Sequence, residues 1–245
     1  MHIRTNFLQQ TIETAITFLY PAQCKVCEKQ LGLQSAPYFC NSCWKDIDFI
    51  QPPWCEICGI PNTETLCDSC ATKPPRFGKL RTIAVYENII QQAIHQFKFN
   101  KRSSLSHTLK QLILDNIPCD LNLTDYDYVL PVPIHKKRLR ERGFNQSTLL
   151  AKGIAKVVGL RVREDVLIRE KNTSPQSSLD REARQTNIKG AFKIRNADII
   201  RDRHILVFDD VYTTGATIRE VVNVLWDADP IEIDVLTLTR TLNPY

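Results

Sequence analysis

The sequence predicts a small metal-bound module followed by a larger α/β domain with a mainly parallel sheet flanked by helices. Two observations predict this division. Eight of the nine cysteines form four Cys-x-x-Cys pairs near the start of the chain, and apolar strand-like runs alternate with helical patterns from about residue 80 onward. The turn-forming segment 71–78 follows the last clustered cysteine. We therefore predict two domains, residues 1–75 and residues 76–245.

Composition and charge exclude several classes of protein. The 245 residues are 43% hydrophobic and include only eight Gly and 13 Pro, which is typical of a globular chain. No apolar run approaches the ~20 residues of a transmembrane helix, so we expect no stable membrane insertion. Residues 1–75 carry five Lys and Arg against seven Asp and Glu, whereas residues 76–245 carry 27 against 20. The basic excess belongs to the larger domain.

The first twenty residues lack the apolar stretch and cleavage site of a secretory signal. Apolar residues recur there near helical spacing, which predicts an amphipathic helix that packs on the protein itself. We therefore expect a cytoplasmic protein. Because cytosolic thiols stay reduced, clustered cysteines in such a chain favour metal binding, with disulfides or a redox role as the alternative.

The four Cys-x-x-Cys pairs can supply two complete tetrahedral thiolate sites for zinc. Each pair places two sulfurs on one side of a tight turn, and Gly59 suits such a turn because glycine tolerates a positive φ. Sequential and interleaved pairings both stay open. Since every ligand would be a protein group, the sites would be structural. The predicted metal ligands are Cys24, Cys27, Cys40, Cys43, Cys55, Cys58, Cys67 and Cys70.

Strand-like and helical segments alternate along the larger domain. We predict strands at 82–86, 127–133, 204–210 and 233–239, and helices at 89–99, 105–117, 146–158 and 216–228. This alternation indicates a mainly parallel sheet. Neither a GxxxxGK[ST] loop nor a GxGxxG sequence is present. A ligand must therefore be bound by another arrangement.

The predicted strand 204–210 ends in Asp209 and Asp210 and leads into a small-residue turn at the start of a helix. Open α/β sheets bind ligands at this carboxyl edge. Backbone amides and hydroxyls of the turn suit a phosphate; its residues are Thr213, Thr214, Gly215, Ala216 and Thr217. The acids suit sugar hydroxyls or hydrated Mg²⁺. The alternative is an acid pair that caps the helix, and burial of both acids in ion pairs would count against a ligand.

The segment FDDVYTTGAT, residues 208–217, resembles the phosphoribosyl pyrophosphate (PRPP) signature of type I phosphoribosyltransferases. Further motifs are four Cys-x-x-Cys pairs, FKF at 97–99, PVPIHKKRLRERGFNQS at 131–147, and the spaced residues Arg169, Thr173, Gln176, Arg184, Asn187 and Phe192. In this combination the chain closely resembles the ComF/GntX family of bacterial competence-related proteins. The resemblance extends from about residue 20 to residue 240.

The resemblance implies a type I phosphoribosyltransferase-like domain preceded by a double zinc ribbon. It implies two structural zinc ions, and PRPP bound together with Mg²⁺. Asp209 and Asp210 would be the catalytic pair that holds the ribose 2′- and 3′-hydroxyls, and the turn 213–217 would hold the 5′-phosphate. The further residues that it assigns to PRPP are Pro133, Ile134, His135 and Lys98, to which the adjacent basic run adds Arg142.

Two other segments have both a functional and a structural interpretation. The basic run 136–142, KKRLRER, is either a phosphate or nucleic-acid patch or a solvated helix face. Residues 170–189 lack a periodic apolar pattern and resemble the flexible hood that closes over PRPP; the alternative is a disordered surface loop. The polar candidates in this segment are Gln176, Arg181 and Arg184.

The function implied by the resemblance is natural transformation, with handling of internalised single-stranded DNA. The expected ligand is PRPP, and the expected partners are single-stranded DNA and other competence or DNA-uptake proteins. The reaction would be glycosyl transfer at the ribose anomeric carbon to an unknown acceptor. Two alternatives stay open: a non-catalytic PRPP-sensing DNA-binding adaptor, and a nucleotide-salvage phosphoribosyltransferase.

Overall fold

The structure is a computed structural model that describes residues 23–31, 38–99, 105–173 and 187–242. The helix predicted within the first twenty residues lies outside this part. Contact density divides the chain into two compact units, Met1–Ile47 and Asp48–Tyr245. This division lies earlier than the boundary predicted between residues 75 and 76. The reason is that the second group of cysteines is bonded to the strands of the larger unit, for example where the Leu80 N–H donates to the Ile57 carbonyl at 2.7 Å.

The described residues of the first unit contain four cysteines and one short helix. Helix α1, Asn41–Lys45, follows Cys40, whose Sγ accepts a hydrogen bond from the Cys43 N–H at 3.5 Å. The Glu28 N–H donates to the Cys24 carbonyl at 3.0 Å, and Glu28 adopts a φ of 60°. The first Cys-x-x-Cys pair therefore forms the tight turn that a thiolate metal site requires.

A five-stranded parallel sheet forms the centre of the second unit, with strand order β1-β7-β6-β2-β3. A separate antiparallel pair joins β4 and β5. The strands are β1 (Leu80–Val85), β2 (Tyr128–Pro131), β3 (Arg161–Val162), β4 (Leu167–Arg169), β5 (Phe192–Ile194), β6 (His204–Tyr212) and β7 (Glu232–Arg240). Because the main ladders are parallel, the carboxyl ends of their strands meet at one edge. The predicted α/β fold is confirmed.

The helices of the second unit connect these strands. They are α2 (Asp68–Thr72), α3 (Asn88–Phe99), α4 (Leu105–Asp115), α5 (Lys136–Arg142), α6 (Gln146–Val158) and α7 (Ala216–Leu225). Helix α4 ends two residues before the predicted Ile117, because Pro118 disfavours helical geometry in the residue before it. Helix α7 ends early because residues 226–228 tighten into a 3-10 turn. In the described part of the chain, no helix combines the length and apolar character that crossing a membrane requires.

Strand β6 is buried on both faces and carries its last residues to the carboxyl edge. Leu206 and Phe208 line an apolar cavity together with residues of α6, whereas Ile205 and Val207 belong to the core cluster that includes α7. This alternation follows the two-residue period of a strand. The strand continues to Tyr212, two residues beyond its predicted end, because its last residues still pair with β7.

Candidate functional site

The acidic pair lies near the carboxyl end of β6, and its two members have different partners. Asp209 is half-buried; its Oδ1 accepts a hydrogen bond from Ser147 Oγ at 2.9 Å. Asp210 is buried, and its Oδ2 lies 2.7 Å from Lys98 Nζ. Lys98, which the resemblance assigns to the pyrophosphate, is thus paired with an acid in this structure. Of the two acids, Asp210 alone forms an ion pair among the residues that the structure describes.

Asp209 has an unusual protonation equilibrium. Burial raises the pKa of Asp209 to about 7, and the charge of Asp210 also raises it, while Lys98 and the Ser147 hydroxyl lower it. A pair of neighbouring carboxyl groups in which the pKa of one is raised toward neutral pH is typical of functional sites. The charge of Lys98 therefore does not outweigh the effects of burial and of Asp210 on this pKa.

The turn 213–217 follows β6 and opens α7. Gly215 is the N-cap residue of α7 and adopts a φ of 73°. A Cβ at this position would collide with Tyr212 Oη and would lie 2.9 Å from Arg219 Nη1, so both the φ and the space require glycine. The alternative in which the acidic pair caps this helix is wrong, since the cap lies five residues further along the chain.

The members of the turn differ in exposure. Thr214, Gly215 and Ala216 are buried, and Thr213 and Thr217 are half-buried. The Ala216 N–H points to Thr214 Oγ1 at 3.4 Å. The turn therefore combines hydroxyls with the N-terminal amides of a ten-residue helix, which is an arrangement that suits an anion.

The loop after β2 lies beside the end of β6, because the two strands are neighbours in the sheet. The Val132 N–H donates to the Phe208 carbonyl at 2.9 Å. The predicted pyrophosphate loop, residues 133–135, follows directly and is half-buried. His135 also has a structural role, since its Nδ1 accepts from the Lys137 N–H at 3.2 Å and caps α5.

The motif RGFNQS connects this loop with the acidic pair. Asn145 Nδ2 donates to the Val132 carbonyl at 3.0 Å, and Asn145 Oδ1 caps α6 by accepting from the Ser147 N–H at 3.2 Å. The ring of Phe144 lies 5.3 Å from that of Phe97 in the FKF motif. Sequence reasoning missed Asn145 and Ser147 as site residues, although an Asn before a helical run is a capping signal.

Arg142, a predicted site residue, lies within range of the charge of Asp210. Its Nη1 donates to Gln146 Oε1 at 3.2 Å. Burial lowers the pKa of Arg142, while the charge of Asp210 raises it and that of Arg138 lowers it. Arg142 is therefore within electrostatic range of both an acid and a second arginine.

Two further arginines converge on Thr173, one from the basic run 136–142 and one from the spaced residues of the family resemblance. Arg138 Nη2 donates to the Thr173 carbonyl at 2.8 Å, and Arg169 Nη2 lies 2.5 Å from Thr173 Oγ1. Burial lowers the pKa of Arg169 to about 10, and the charge of Arg138 adds to this effect, whereas that of Asp209 opposes it. Arg138, Arg142 and Arg169, which we call the arginine row, concentrate positive charge beside the acids.

The structure describes the basic run 136–142 but not the polar candidates of the predicted hood. The basic run 136–142 forms the short helix α5, which has no buried residue; Lys136, Lys137 and Arg140 are exposed on it. The hood candidates Gln176, Arg181 and Arg184 lie outside the described residues.

The eight clustered cysteines form two groups in chain order, so the sequential pairing is the correct one. The first cysteine cluster is Cys24, Cys27, Cys40 and Cys43, and the second cysteine cluster is Cys55, Cys58, Cys67 and Cys70. Within each cluster the four sulfur atoms lie within 4.8 Å of one another. The Cys58 and Cys67 sulfurs are 3.6 Å apart, much further than the ~2.05 Å of a disulfide. Each donor set fits a tetrahedral zinc ion.

The second cysteine cluster is bonded directly to the sheet. Arg81 of β1 donates from Nη2 to the Glu56 carbonyl at 2.8 Å and pairs with the Asp120 carboxylate. Arg240 of β7 donates from Nη1 to the Cys58 carbonyl at 2.6 Å. Gly59 adopts the predicted positive φ, and a Cβ there would collide with the Leu80 carbonyl oxygen.

Known proteins resemble the chain in both of its parts. The sequence model of the double zinc ribbon domain matches residues 15–71. DNA utilization protein YhgH of Escherichia coli O6:H1 is 33% identical over 193 residues, which cover 77% of this chain and 84% of that protein. The chain belongs to the ComF/GntX family. Competence protein F of Haemophilus influenzae is 28% identical over 208 residues, which cover 82% of this chain and 90% of that protein.

Solved structures that resemble this ComF/GntX member include a PRPP amidotransferase and an adenine phosphoribosyltransferase. Glutamine PRPP amidotransferase from B. subtilis is 19% identical with a TM-score of 0.35, over 56% of this chain and 26% of its own. The chain thus spans about a quarter of that enzyme. Adenine phosphoribosyltransferase from Leishmania tarentolae is 10% identical with a TM-score of 0.35, over 59% of this chain and 74% of its own.

The ComF/GntX chain has the predicted fold class. An α/β domain with a mainly parallel sheet flanked by helices follows N-terminal zinc-ribbon sequence. Its two four-cysteine sites fit the double zinc ribbon. Membership in a family of competence and DNA utilization proteins agrees with the resemblance seen in the motifs.

Proposed function

We propose that this protein binds PRPP with Mg²⁺ at the carboxyl edge of the sheet and acts in the handling of internalised single-stranded DNA during natural transformation. The single observation that carries the proposal is that β2 and β6 are adjacent parallel strands, so that both end at this edge. This arrangement brings an acidic pair, a helix-opening turn and a second backbone loop to one side of the sheet. The relatives' names, DNA utilization protein and competence protein F, support the biological process.

The acids would hold the ribose. A carboxylate accepts hydrogen bonds only, and the 2′- and 3′-hydroxyls of ribose can donate two. Ser147 donates to Asp209 Oδ1, which orients that carboxylate and leaves its other oxygen to accept from a hydroxyl. Lys98 holds Asp210 and would shift toward the pyrophosphate when a ribosyl donor enters.

The 5′-phosphate would bind at the turn 213–217. A phosphate dianion is stabilised by the N-terminal amides of α7 and by the threonine hydroxyls of the turn. Gly215 supplies the positive φ of 73° from which α7 begins. This assignment separates the anionic phosphate from the acidic pair.

The pyrophosphate would lie toward residues 133–135 and the arginine row. In glycosyl transfer the bond from the anomeric carbon to the pyrophosphate oxygen breaks, the electron pair leaves with pyrophosphate, and the acceptor forms the new bond and loses its proton. Arginines that face a departing anion stabilise the charge that develops on it. Burial of Arg169 strengthens this interaction, since fewer water molecules screen it.

Magnesium would be held with the sugar hydroxyls and the carboxylates of Asp209 and Asp210. The donor set is suitable because Mg²⁺ prefers oxygen ligands and retains several waters, and because Asp209 and Asp210 place two carboxyl groups next to each other. When bound, the ion supplies charge neutralisation at the pyrophosphate.

Calorimetry with PRPP and Mg²⁺ tests the site. We expect the double variant Asp209→Asn plus Asp210→Asn to bind PRPP about a hundredfold more weakly than the wild type at pH 8, because two charge-assisted acceptors are removed. Asp198→Asn, which changes an 88% exposed carboxylate, is the matched control and should bind normally. Equal affinity of the wild type and the double variant would contradict the assigned site.

A screen for pyrophosphate release separates catalysis from sensing. Free bases and DNA oligonucleotides are offered as acceptors to the wild type and to the double variant. Release by the wild type alone, with one acceptor class, identifies an enzyme and its substrate. Binding of PRPP without release under every acceptor supports the non-catalytic adaptor.

The exposed face of α5 supports DNA binding as a second function. Lys136, Lys137 and Arg140 are exposed, whereas Arg138 and Arg142 are half-buried. These three exposed side chains would therefore contact a DNA backbone without disturbing the arginine row. Binding of this kind weakens with salt. The logarithm of the affinity falls by about 0.7 per phosphate contact for each tenfold rise in salt concentration with single strands.

Salt titrations of binding to a single-stranded oligonucleotide test this second function. We expect Lys136→Ala, Lys137→Ala and Arg140→Ala together to reduce the salt slope by about 2. PRPP affinity, measured in parallel, should stay unchanged. An unaltered slope in the triple variant would show that DNA binds elsewhere.

A further inference from the structure

Arg240 connects the second cysteine cluster with the phosphate-binding turn. It lies at the end of β7, is 4% exposed, and donates from Nη1 to the Cys58 carbonyl at 2.6 Å. Its guanidinium carbon lies 5.3 Å from the centroid of the Tyr212 ring. Tyr212 and Arg240 are also direct neighbours in the ladder between β6 and β7. One buried side chain therefore touches both the cluster backbone and the last residue of β6.

Tyr212 in turn supports the opening residue of α7. Its phenol oxygen occupies the place that a Cβ on Gly215 would take. Its carbonyl accepts from the Thr241 N–H at 3.0 Å, which fixes the backbone of Tyr212 against the chain after β7. A displaced Tyr212 ring would leave the turn 213–217 without this support.

The positive charge of Arg240 is a second link between this residue and the second cysteine cluster. The other buried arginine beside the cluster, Arg81, pairs with Asp120. No carboxylate of the described residues lies within ion-pair distance of Arg240, and its Nε is buried without a hydrogen-bond partner there. Zinc held by four thiolates carries a net charge of −2. A zinc-loaded cluster would thus supply the negative charge that a buried arginine needs.

We propose that zinc in the second cysteine cluster holds the turn 213–217 in its phosphate-binding conformation through Arg240 and Tyr212. Loss of this zinc then weakens binding of the ribosyl phosphate. The proposal rests on the function proposed above for the turn. Arg240 is a positioning residue, because it acts on the turn through Tyr212.

Three variants of the full chain test the coupling. Cys58→Ser removes a ligand of the second cysteine cluster, Cys27→Ser removes one of the first and is the matched control, and Arg240→Lys keeps all eight thiolates. Zinc content and the dissociation constant for PRPP with Mg²⁺ are measured for each. We expect both cysteine variants to lose one zinc per chain. We expect Cys58→Ser and Arg240→Lys to bind PRPP about tenfold more weakly, within the usual range of coupled sites, and Cys27→Ser to bind normally.

Equal affinities of the two cysteine variants, with the zinc losses verified, would overturn the proposal. If Cys58→Ser fails to fold, the comparison between wild type and Arg240→Lys decides, since wild-type affinity in Arg240→Lys also overturns it. Cobalt substitution adds a spectroscopic readout. Because coupling is reciprocal, PRPP should shift the visible absorption of cobalt in Cys27→Ser, where the second cluster alone is loaded, and leave that of Cys58→Ser unchanged; no shift in Cys27→Ser contradicts the coupling.

Hydrogen exchange separates this proposal from the function on which it rests. A wild type that does not bind PRPP would contradict the proposed function. The coupling would then be judged from the amides of residues 213–217 alone. Faster exchange in Cys58→Ser than in Cys27→Ser supports the coupling, and equal rates overturn it.

Discussion

The surroundings of Asp209 disfavour the charged form of its carboxyl group. An Asp in an unfolded chain titrates near pH 4, whereas burial and the charge of Asp210 raise the pKa of Asp209 to about 7. Between these values the folded protein retains a proton that the unfolded chain has lost. The contribution of Asp209 to stability therefore falls as the pH rises from about 4 to about 7.

Asp209→Asn should therefore stabilise the protein in the absence of PRPP. We expect a gain of about 1 to 2 kcal/mol at pH 8 and a smaller gain at pH 6, because the neutral amide removes the cost of a buried charge. Urea unfolding at both pH values measures it. Asp198→Asn should change neither value, and a gain that does not depend on pH would show that charge is not its cause.

Single residues of the site differed in how far the sequence could predict them. Asp209, Asp210 and Gly215 belong to one continuous motif, so local chemistry is enough to name them as candidates. Ser147 is 62 residues distant from Asp209 along the chain, and Arg169 comes from a strand outside the main sheet. No periodicity or spacing brings such residues together, because their proximity is created by the tertiary fold.

At the level of elements, strand β1 anchors the second cysteine cluster through Arg81. Arg81 is 2% exposed. Its guanidinium donates to three backbone carbonyls near the cluster and pairs with Asp120. Although burial alone would raise the pKa of Asp120, the hydrogen bonds and charge of Arg81 outweigh burial and lower it. The pair therefore stabilises the fold at every pH above the normal titration of Asp.

Asp120→Asn should destabilise the second unit. The change leaves Arg81 buried beside a neutral partner, so we expect the free energy of unfolding to fall by about 2 kcal/mol at pH 7. Denaturant unfolding measures this loss, and Asp227→Asn, an exposed acid, serves as its control. A loss no larger than that of the control would mean that backbone carbonyls alone satisfy Arg81.

The long elements were predictable, and the short ones were not. Strand β6 begins with a continuous apolar run and helix α6 has an apolar period; α6 lies where the sequence predicts it, and β6 ends two residues later than predicted. Strands β3, β4 and β5 have two or three residues each, too few for a period to show. Helix α5 depends on its two ends, a His135 cap and a Gly143 with a φ of 85°, within a run of charges that is compatible with several structures.

For the molecule as a whole, metal removal should affect the cysteine clusters more than the sheet. A structural zinc site contributes its binding energy to folding, whereas β6 and β7 are buried by apolar side chains. After chelation we expect fast hydrogen exchange at residues 55–70 and continued protection of the β6 and β7 amides. Mass spectrometry of exchanged peptides measures both. Loss of protection throughout the sheet would show that zinc stabilises the entire unit.

The division of the molecule was only partly visible in the sequence. Cysteine spacing predicts two zinc sites, which fit the double zinc ribbon. Spacing alone could not show that the second cluster is bonded to β1 and β7, because the two arginines responsible are separated by 159 positions, from Arg81 to Arg240. Contacts of this kind depend on the strand order, which composition and periodicity leave undetermined.

The strand order also bears on biosynthesis. Strands β7 and β6 separate β1 from β2, so β1 gains its neighbour in the sheet only once β7 has been made. Bare strand edges of this kind attract other chains during translation. A nascent chain that stalls before β7 would leave β1 and β6 without this partner and would be a client for chaperones.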